Sequence, residues 1–364
     1  MKGLDRPMRP RGGFLRTLLL TRSPFPYETA DHEEIPCDLC GSADCRVLST
    51  KDRNYLDVRA CICTRCGLIF LNPRMTKEWY GRYYQEEYRA QMARFKGRFD
   101  ARPEEEDLAG LYRRGTRHGL ALAALAQPYL RRGLTIEVGS SAGGVLNGFK
   151  QALDVEVRGI EPSGSEAQWA NRQGIPTDAA LIESTACALP PAANILCVQS
   201  LNHLLSPRFF LGWAHGHLDP QGCLLLEVMN FRHVLRRFQC LRRAIQIDHT
   251  YMFVPEVLRH FVIAAGFDIL WMEQDEDSGP ARRSDPQRAG LPGYHIRLVA
   301  RKSGRAPFAH IPEMEGVYEH TMQSLESIPL SPIGYFFRHE ARYLARRIKS
   351  RLRRRGSRGE AGRG

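Results

Sequence analysis

Apolar residues in this chain fall into short runs separated by polar breaks rich in glycine and proline. Runs at 134–138, 155–160, 195–199, 224–228, 269–272 and 296–300 have the length and composition of buried strands. Between them, three- and four-residue apolar spacing predicts helices at 111–130, 165–172 and 255–265, the last closed by Gly266. Asp219-Pro220-Gln221-Gly222 is a turn leading into the fourth of these strands. Strands alternating with helices predict an α/β fold with a mostly parallel, Rossmann-like sheet covered on both faces.

The run Leu134-Thr135-Ile136-Glu137-Val138 leads into Gly139-Ser140-Ser141-Ala142-Gly143-Gly144, and an apolar helical pattern starts at once. Strand, glycine turn and helix in that order place a ligand beyond the strand's carboxyl end, over the helix N-terminus. The dinucleotide fingerprint needs glycine at its first, third and sixth positions, and the third is Ser141 here. Glu137, beside the loop, suits a cationic cofactor better than a diphosphate. The next strand ends in Glu161-Pro162, twenty-two residues after Gly139, where an acid that binds ribose hydroxyls is expected.

Glu137-x-Gly139-x-x-x-Gly143 followed by Gly159-Ile160-Glu161-Pro162 resembles the class I S-adenosylmethionine (SAM)-dependent methyltransferases. The resemblance implies SAM as cofactor and an antiparallel last strand at 296–300. It implies cofactor contacts from Glu137, Gly139, Ser140, Gly143, Glu161, Pro162, Leu181 and Gln199. The acid that often meets the adenine amine has no clear counterpart between Asp178 and Glu183, which leaves backbone groups around Leu181 for that role.

Ahead of this region stand Cys37-x2-Cys40-Gly41 and, twenty-two residues on, Cys63-x2-Cys66-Gly67. Two such turns direct four thiolates at one tetrahedral centre, so Cys37, Cys40, Cys63 and Cys66 are expected to hold a structural Zn2+ with no open position. Cys45 and Cys61 are competing ligands, Cys61 the closer in spacing. Asn72-Pro73-Arg74 and the tyrosines at 80, 83, 84 and 88 follow. Together these features resemble the N-terminal part of bacterial methyltransferases that carry a small zinc module and act on sugars or other small molecules. The tyrosines read either as helix packing or as a lid over the substrate.

Three residues are candidates for the catalytic end. His203, in Asn202-His203 after the strand at 195–199, matches a position where the resembled family often has Glu-His. His249 and Tyr251 precede Pro255-Glu256, as a histidine and an aromatic do in that family. A histidine is suited to general-base work near neutral pH. Asn194 departs from the family, which usually has an acid entering that strand.

Lys and Arg exceed Asp and Glu by 12 over 364 residues, but net +9 of this belongs to residues 338–364 and only +3 to the rest. The body therefore carries no broad nucleic-acid footprint. Residues 333–355 predict a basic amphipathic helix, suited to an anionic membrane surface or an acidic partner. No run of eighteen apolar residues predicts a membrane span. The clustered cysteines fit a reducing cytoplasm, with peripheral contact at the membrane's inner face open. The expected organisation is a basic N-terminus (1–33), a zinc module (34–75), a tyrosine-rich linker or lid (76–130), a methyltransferase domain (131–303) and an extension with the basic helix (304–364). The expected activity is methyl transfer from SAM to a small molecule, a sugar or sugar-bearing metabolite. Methylation of nucleic acid and a SAM-binding scaffold of weak activity are the alternatives.

Overall fold

The computed structural model describes residues 25–88, 90–91, 105–184, 189–274, 290–312, 314–331 and 334. Apart from Gly334, the expected basic helix at 333–355 lies outside the described residues. In chain order the elements begin with β1 (His32–Glu33), β2 (Cys45–Ser49), β3 (Ala60–Cys63), β4 (Ile69–Leu71), β5 (Arg74–Met75) and α1 (Lys77–Arg82). Next come α2 (Glu105–Ala126), β6 (Thr135–Val138), α3 (Gly144–Leu153), β7 (Val157–Ile160), α4 (Gly164–Arg172), β8 (Thr177–Asp178) and β9 (Ala192–Val198). After them follow α5 (Pro207–His217), β10 (Leu218–Met229), α6 (Phe231–Phe238), α7 (Leu241–Ala244), β11 (Tyr251–Met252) and α8 (Pro255–Ala264). The described chain closes with β12 (Phe267–Gln274), β13 (His295–Lys302) and α9 (Val317–Glu326).

A seven-stranded sheet runs in the order β12-β13-β10-β9-β6-β7-β8. Its strands are parallel except β13, which is antiparallel to both neighbours. The central strands are buried on both faces, and side chains alternate between them. Leu224, Leu226 and Val228 face the helices α5 and α8 through Phe210, Leu211, Leu258 and Phe261. Cys223 and Leu225 face α2, α3 and α4 through Leu122, Ala126, Leu146, Phe149 and Ala170. Helix α2 starts six residues earlier than its apolar pattern predicts and stops at Ala126, because Pro128 offers no backbone N–H to continue it.

Helices α2 and α3 touch backbone to backbone. A Cβ placed on Gly119 would lie 2.2 Å from the carbonyl oxygen of Val145, and one on Gly115 would lie 2.9 Å from Cα of Gly144. Only glycine allows that approach, and it lays α2 along the first turn of α3, next to the glycine loop. Gly119→Ala must push one helix off the other, and overpacking of this kind costs about 1–3 kcal/mol. Gly81→Ala, with nothing within 4 Å of the new Cβ, is neutral or slightly stabilising. Urea unfolding of both variants checks this, and equal midpoints would remove the role given to the contact.

The cysteine module is not separate from the sheet domain. Its antiparallel sheet has the order β11-β4-β3-β2, so one strand comes from the segment between α7 and α8. Helix α9 packs on the second cysteine turn, where Thr321 Oγ1 lies 3.0 Å from the Cβ position of Gly67.

Candidate active site

The cleft lies at the carboxyl edge of the large sheet and encloses about 640 Å3, within the usual range for a small-molecule pocket. Glu137, Gly139, Ser140, Glu161, Pro162, Leu181 and Gln199, all expected on the cofactor side, are in its wall. Gly139 has φ +77°, and a Cβ there would strike Ser200 Oγ at 2.2 Å, so the loop turns tightly against the end of β9.

Gly143 caps α3 with φ +79°, and the side a Cβ would occupy is filled by Ala170 at 2.9 Å and Ile175 at 3.2 Å beneath the loop. It turns the chain, while its neighbours Ser141, Ala142 and Gly144 form the wall.

The two cleft acids differ. Glu161 accepts backbone N–H groups from Ser141 and Ser163, each at 2.8 Å, one on each carboxylate oxygen. Glu137 is 1% exposed, and its Oε2 has no partner among the described residues. Burial first, then the charges of Glu161 and Glu227, hold its pKa well above the ordinary carboxyl value. A buried acid with a vacant oxygen in a cleft is a docking point for a cationic group.

At the other end, Tyr80, Tyr84, Tyr88 and His203 line the cleft. Tyr84 packs on both Tyr80 and Tyr83, and Tyr84 and Tyr88 meet the His203 ring edge-on at 6.5 and 6.4 Å. His203 Nδ1 lies 2.7 Å from the carbonyl oxygen of Asp248. A carbonyl only accepts, so Nδ1 carries the proton and Nε2 keeps a lone pair. Burial lowers the His203 pKa against the raising effect of Asp248, so the ring is neutral at neutral pH.

His249 stands behind it, perpendicular at 4.6 Å, its Nδ1 3.3 Å from Gln246 Nε2. Burial and then His203 hold its pKa well below 6.5. Between the two rings, burial would raise Asp248, but His249, Arg53 and His203 outweigh it and keep the carboxyl below its usual range. His249 does not reach the cleft wall; it supports His203.

Tyr251 stands apart from this cleft wall. Its ring is buried against Phe70, and its hydroxyl donates to Leu205 O at 3.3 Å and meets Arg74 Nη1 at 3.4 Å. The pairing of β11 with β4 turns it toward the cysteine module, away from the cleft.

Asn194, the other departure from the family pattern, lies near the amino end of β9. Its side chain ties Arg131 backbone groups to Thr135 Oγ1, far from the chemistry at the opposite edge. Asp178 is clasped by Arg158 at 2.9–3.1 Å, and Glu183 accepts from the Leu205 and Ser206 amides. Sequence reading missed Asp248, Glu227, Arg114 and His118. The helical spacing of Arg114 and His118, beside the repeated glycines at 115 and 119, is the signal that was available.

The four cysteines converge, their sulfur atoms all within 4.8 Å of one another. Cys37 and Cys66 are 3.4 Å apart and Cys40 and Cys63 3.6 Å. The two turns are built alike. Cys37 O accepts from Gly41 N at 2.8 Å and Cys63 O from Gly67 N at 2.9 Å. Cys61, the expected competitor, is turned to the carbonyl oxygen of Asn72 at 3.6 Å, and neither it nor Cys45 belongs to the cluster.

Among solved structures, the plantazolicin methyltransferase BpumL in complex with SAH is similar at 10% identity, with 62% of this chain and 94% of that chain covered and a TM-score of 0.43. A SAM-dependent methyltransferase from Thermotoga maritima gives 18% identity, 55% and 95% coverage and a TM-score of 0.41. One from Mesorhizobium loti gives 12%, 50% and 98%, with a TM-score of 0.41. No curated protein matches the chain. A family model described as a methyltransferase domain matches residues 80–271, which span the tyrosine wall, the glycine loop, both acids and both histidines. With more than half of its length inside that match and the cleft within it, the chain belongs to the methyltransferase domain family and is a SAM-dependent methyltransferase.

Proposed function

We propose that the enzyme transfers a methyl group from SAM to a hydroxyl of a small molecule, a sugar or sugar-bearing metabolite, with His203 as the proton acceptor. The observation that carries this reading is the arrangement of one cleft with acids at one end and a neutral imidazole with a free Nε2 at the other. When bound, SAM supplies an electrophilic methyl group on a sulfonium centre. Glu161 accepts the ribose hydroxyls, the backbone around Leu181 borders the adenine, and Glu137 takes the ammonium group of the methionine arm. Tyr84 and Tyr88 wall off the acceptor from water. His203 Nε2 takes the acceptor's proton, while Asp248 fixes the ring through Nδ1.

The four-cysteine cluster fits Zn2+. Zinc–sulfur bonds of about 2.3 Å place tetrahedral sulfurs about 3.8 Å apart, close to the observed separations. Four thiolates leave no position for substrate, so this metal would hold structure only.

Calorimetry with SAH tests the cofactor side. Glu161→Ala is expected to weaken SAH by about 1.5–3 kcal/mol, the value of hydrogen bonds to a charged group, with NAD ignored by both proteins. Equal SAH affinity in wild type and variant would remove Glu161 from the site.

A further inference from the structure

The loop between β2 and β3 of the cysteine module enters the sheet domain behind His203, and the roles above leave it unused. Arg53 on this loop is buried, with 5% of its side chain exposed. A buried guanidinium is costly unless a carboxylate meets it. Its Nη2 lies 4.0 Å from Oδ1 of Asp248, whose side chain is itself 2% exposed.

The backbone is built to hold Arg53 there. Asp52 Oδ1 accepts from the N–H groups of Asn54 at 2.7 Å and Leu56 at 3.0 Å, which closes the loop. Arg53 N–H donates to Ile245 O at 2.9 Å. The Arg53 carbonyl accepts from Arg243 Nη1 at 3.0 Å and Arg242 Nη1 at 3.3 Å. Arg242 also lies over the Tyr55 ring, 3.7 Å from its centroid, and donates to its hydroxyl at 3.0 Å. The loop is therefore stapled to α7 and to Ile245, three residues before Asp248.

Asp248 stands between two cation-forming groups. Its Oδ1 faces Arg53, its Oδ2 lies 3.8 Å from His203 Nδ1, and its carbonyl takes the Nδ1 proton. The guanidinium restrains the residue whose carbonyl orients the imidazole. It also offsets the carboxylate charge that would otherwise draw a second proton onto the ring. We propose that Arg53 is a positioning residue for methyl transfer, fixing Asp248 and through it His203, so that the cysteine module contributes to the catalytic end of the cleft. This rests on the reading of His203 as proton acceptor.

Other titratable groups face this cluster. His249 packs on His203, and His295 on β13 acts on His249. Tyr80, Tyr83, Tyr84 and Tyr88 border it from α1 and the turns that follow, and burial raises all four, so they stay neutral at neutral pH. Asp52, beside Arg53, is pushed up to about 7 by burial.

The test reads His203 itself and needs no acceptor. Full-chain protein carrying labelled histidine is titrated by NMR, with the His203 signal assigned by its loss in His203→Gln. Arg53→Gln is expected to move the His203 titration to higher pH, because a positive charge beside its counter-ion is gone. Asp248→Asn is expected to move it to lower pH. Arg53→Lys keeps the charge on a shorter side chain and should fall between wild type and Arg53→Gln. With an acceptor in hand, Arg53→Gln should also slow single-turnover transfer roughly tenfold to a hundredfold, the cost of a misplaced catalytic group. A titration unchanged in the variants, or moved equally by Arg53→Gln and Arg53→Lys, overturns the assignment. Native shifts of the other histidines report the fold. If Arg53→Gln loses them, Arg53→Lys must show its smaller upward step and Asp248→Asn its downward one, or the assignment falls. Wild-type turnover in His203→Ala overturns the proton-acceptor reading alone, since the coupling of Arg53 to His203 is still read from the titration.

Discussion

Stripping the metal from the purified protein is expected to unfold the cysteine module and to disorder the segment that carries His203. Structural zinc supplies about 10–16 kcal/mol in small peptides, on the scale of a typical domain's whole stability of about 5–15 kcal/mol. The damage spreads because the first cysteine turn reaches into the sheet domain. Asp38, between Cys37 and Leu39, accepts from Ser206 Oγ at 2.9 Å and from the Arg208 backbone N–H at 2.7 Å, at the start of α5. Arg208 returns a bond to Leu39 O at 3.1 Å. Leu205, just before this cap, accepts from Arg74 and Tyr251, and Thr250 bonds the carbonyls of Asn202 and Leu204. His203 is thus held on both flanks by groups that depend on the module. Metal analysis should give about one zinc per chain, lost in Cys63→Ser. Hydrogen exchange should then show residues 200–208 opening together with 37–66. Full zinc content in Cys63→Ser, or metal-free protein with native exchange in both segments, would overturn the assignment.

His203→Ala is expected to lower single-turnover methyl transfer by about 10²–10⁴-fold with SAH affinity near wild type, once an acceptor is in hand. A base acts in its neutral form, and burial places the folded His203 pKa below 6.5. The rate should therefore be flat through neutral pH and fall only as pH drops through that lowered value. The alanine variant should lose this acidic limb. The same sign applies to stability. His203 and His249 are buried neutral, and unfolding lets them take up protons below about pH 6.5, so stability is lost as pH falls through that range. His249→Ala should disturb the rate less, because its ring supports His203 from outside the cleft. Wild-type rates for His203→Ala would mean an acceptor that needs no base, such as a neutral amine.

The parts of this molecule that could be read from sequence are those set by local pattern. The strands β6, β7, β9 and β10 are apolar runs bounded by turns, and β13 takes the antiparallel place that the family resemblance implies. The cysteine turns are legible because their spacing is itself the geometry. What escaped depends on partners far along the chain. Tyr251 reads as a pocket aromatic until β11 is seen paired with β4. Gly143 reads as part of the binding loop, yet the side that a side chain would occupy belongs to Ala170 and Ile175. His118 carries no motif of its own, and its partner Glu227 lies 109 residues away.

The borrowed strand of the cysteine module also sets an order of events in folding. Arg74 and Tyr251 meet across 177 residues of chain, and β4 lacks its outer neighbour until that loop closes. Closing so long a loop is entropically costly unless the intervening chain has already collapsed. The four thiols therefore leave the ribosome long before the strand that completes their sheet has been made. On the proposed zinc reading, capture of the ion by the two cysteine turns would precede the docking of β11, and the metal would be held at first by local turns alone. A cell short of zinc during synthesis would harm this enzyme more than the same shortage imposed after it has folded.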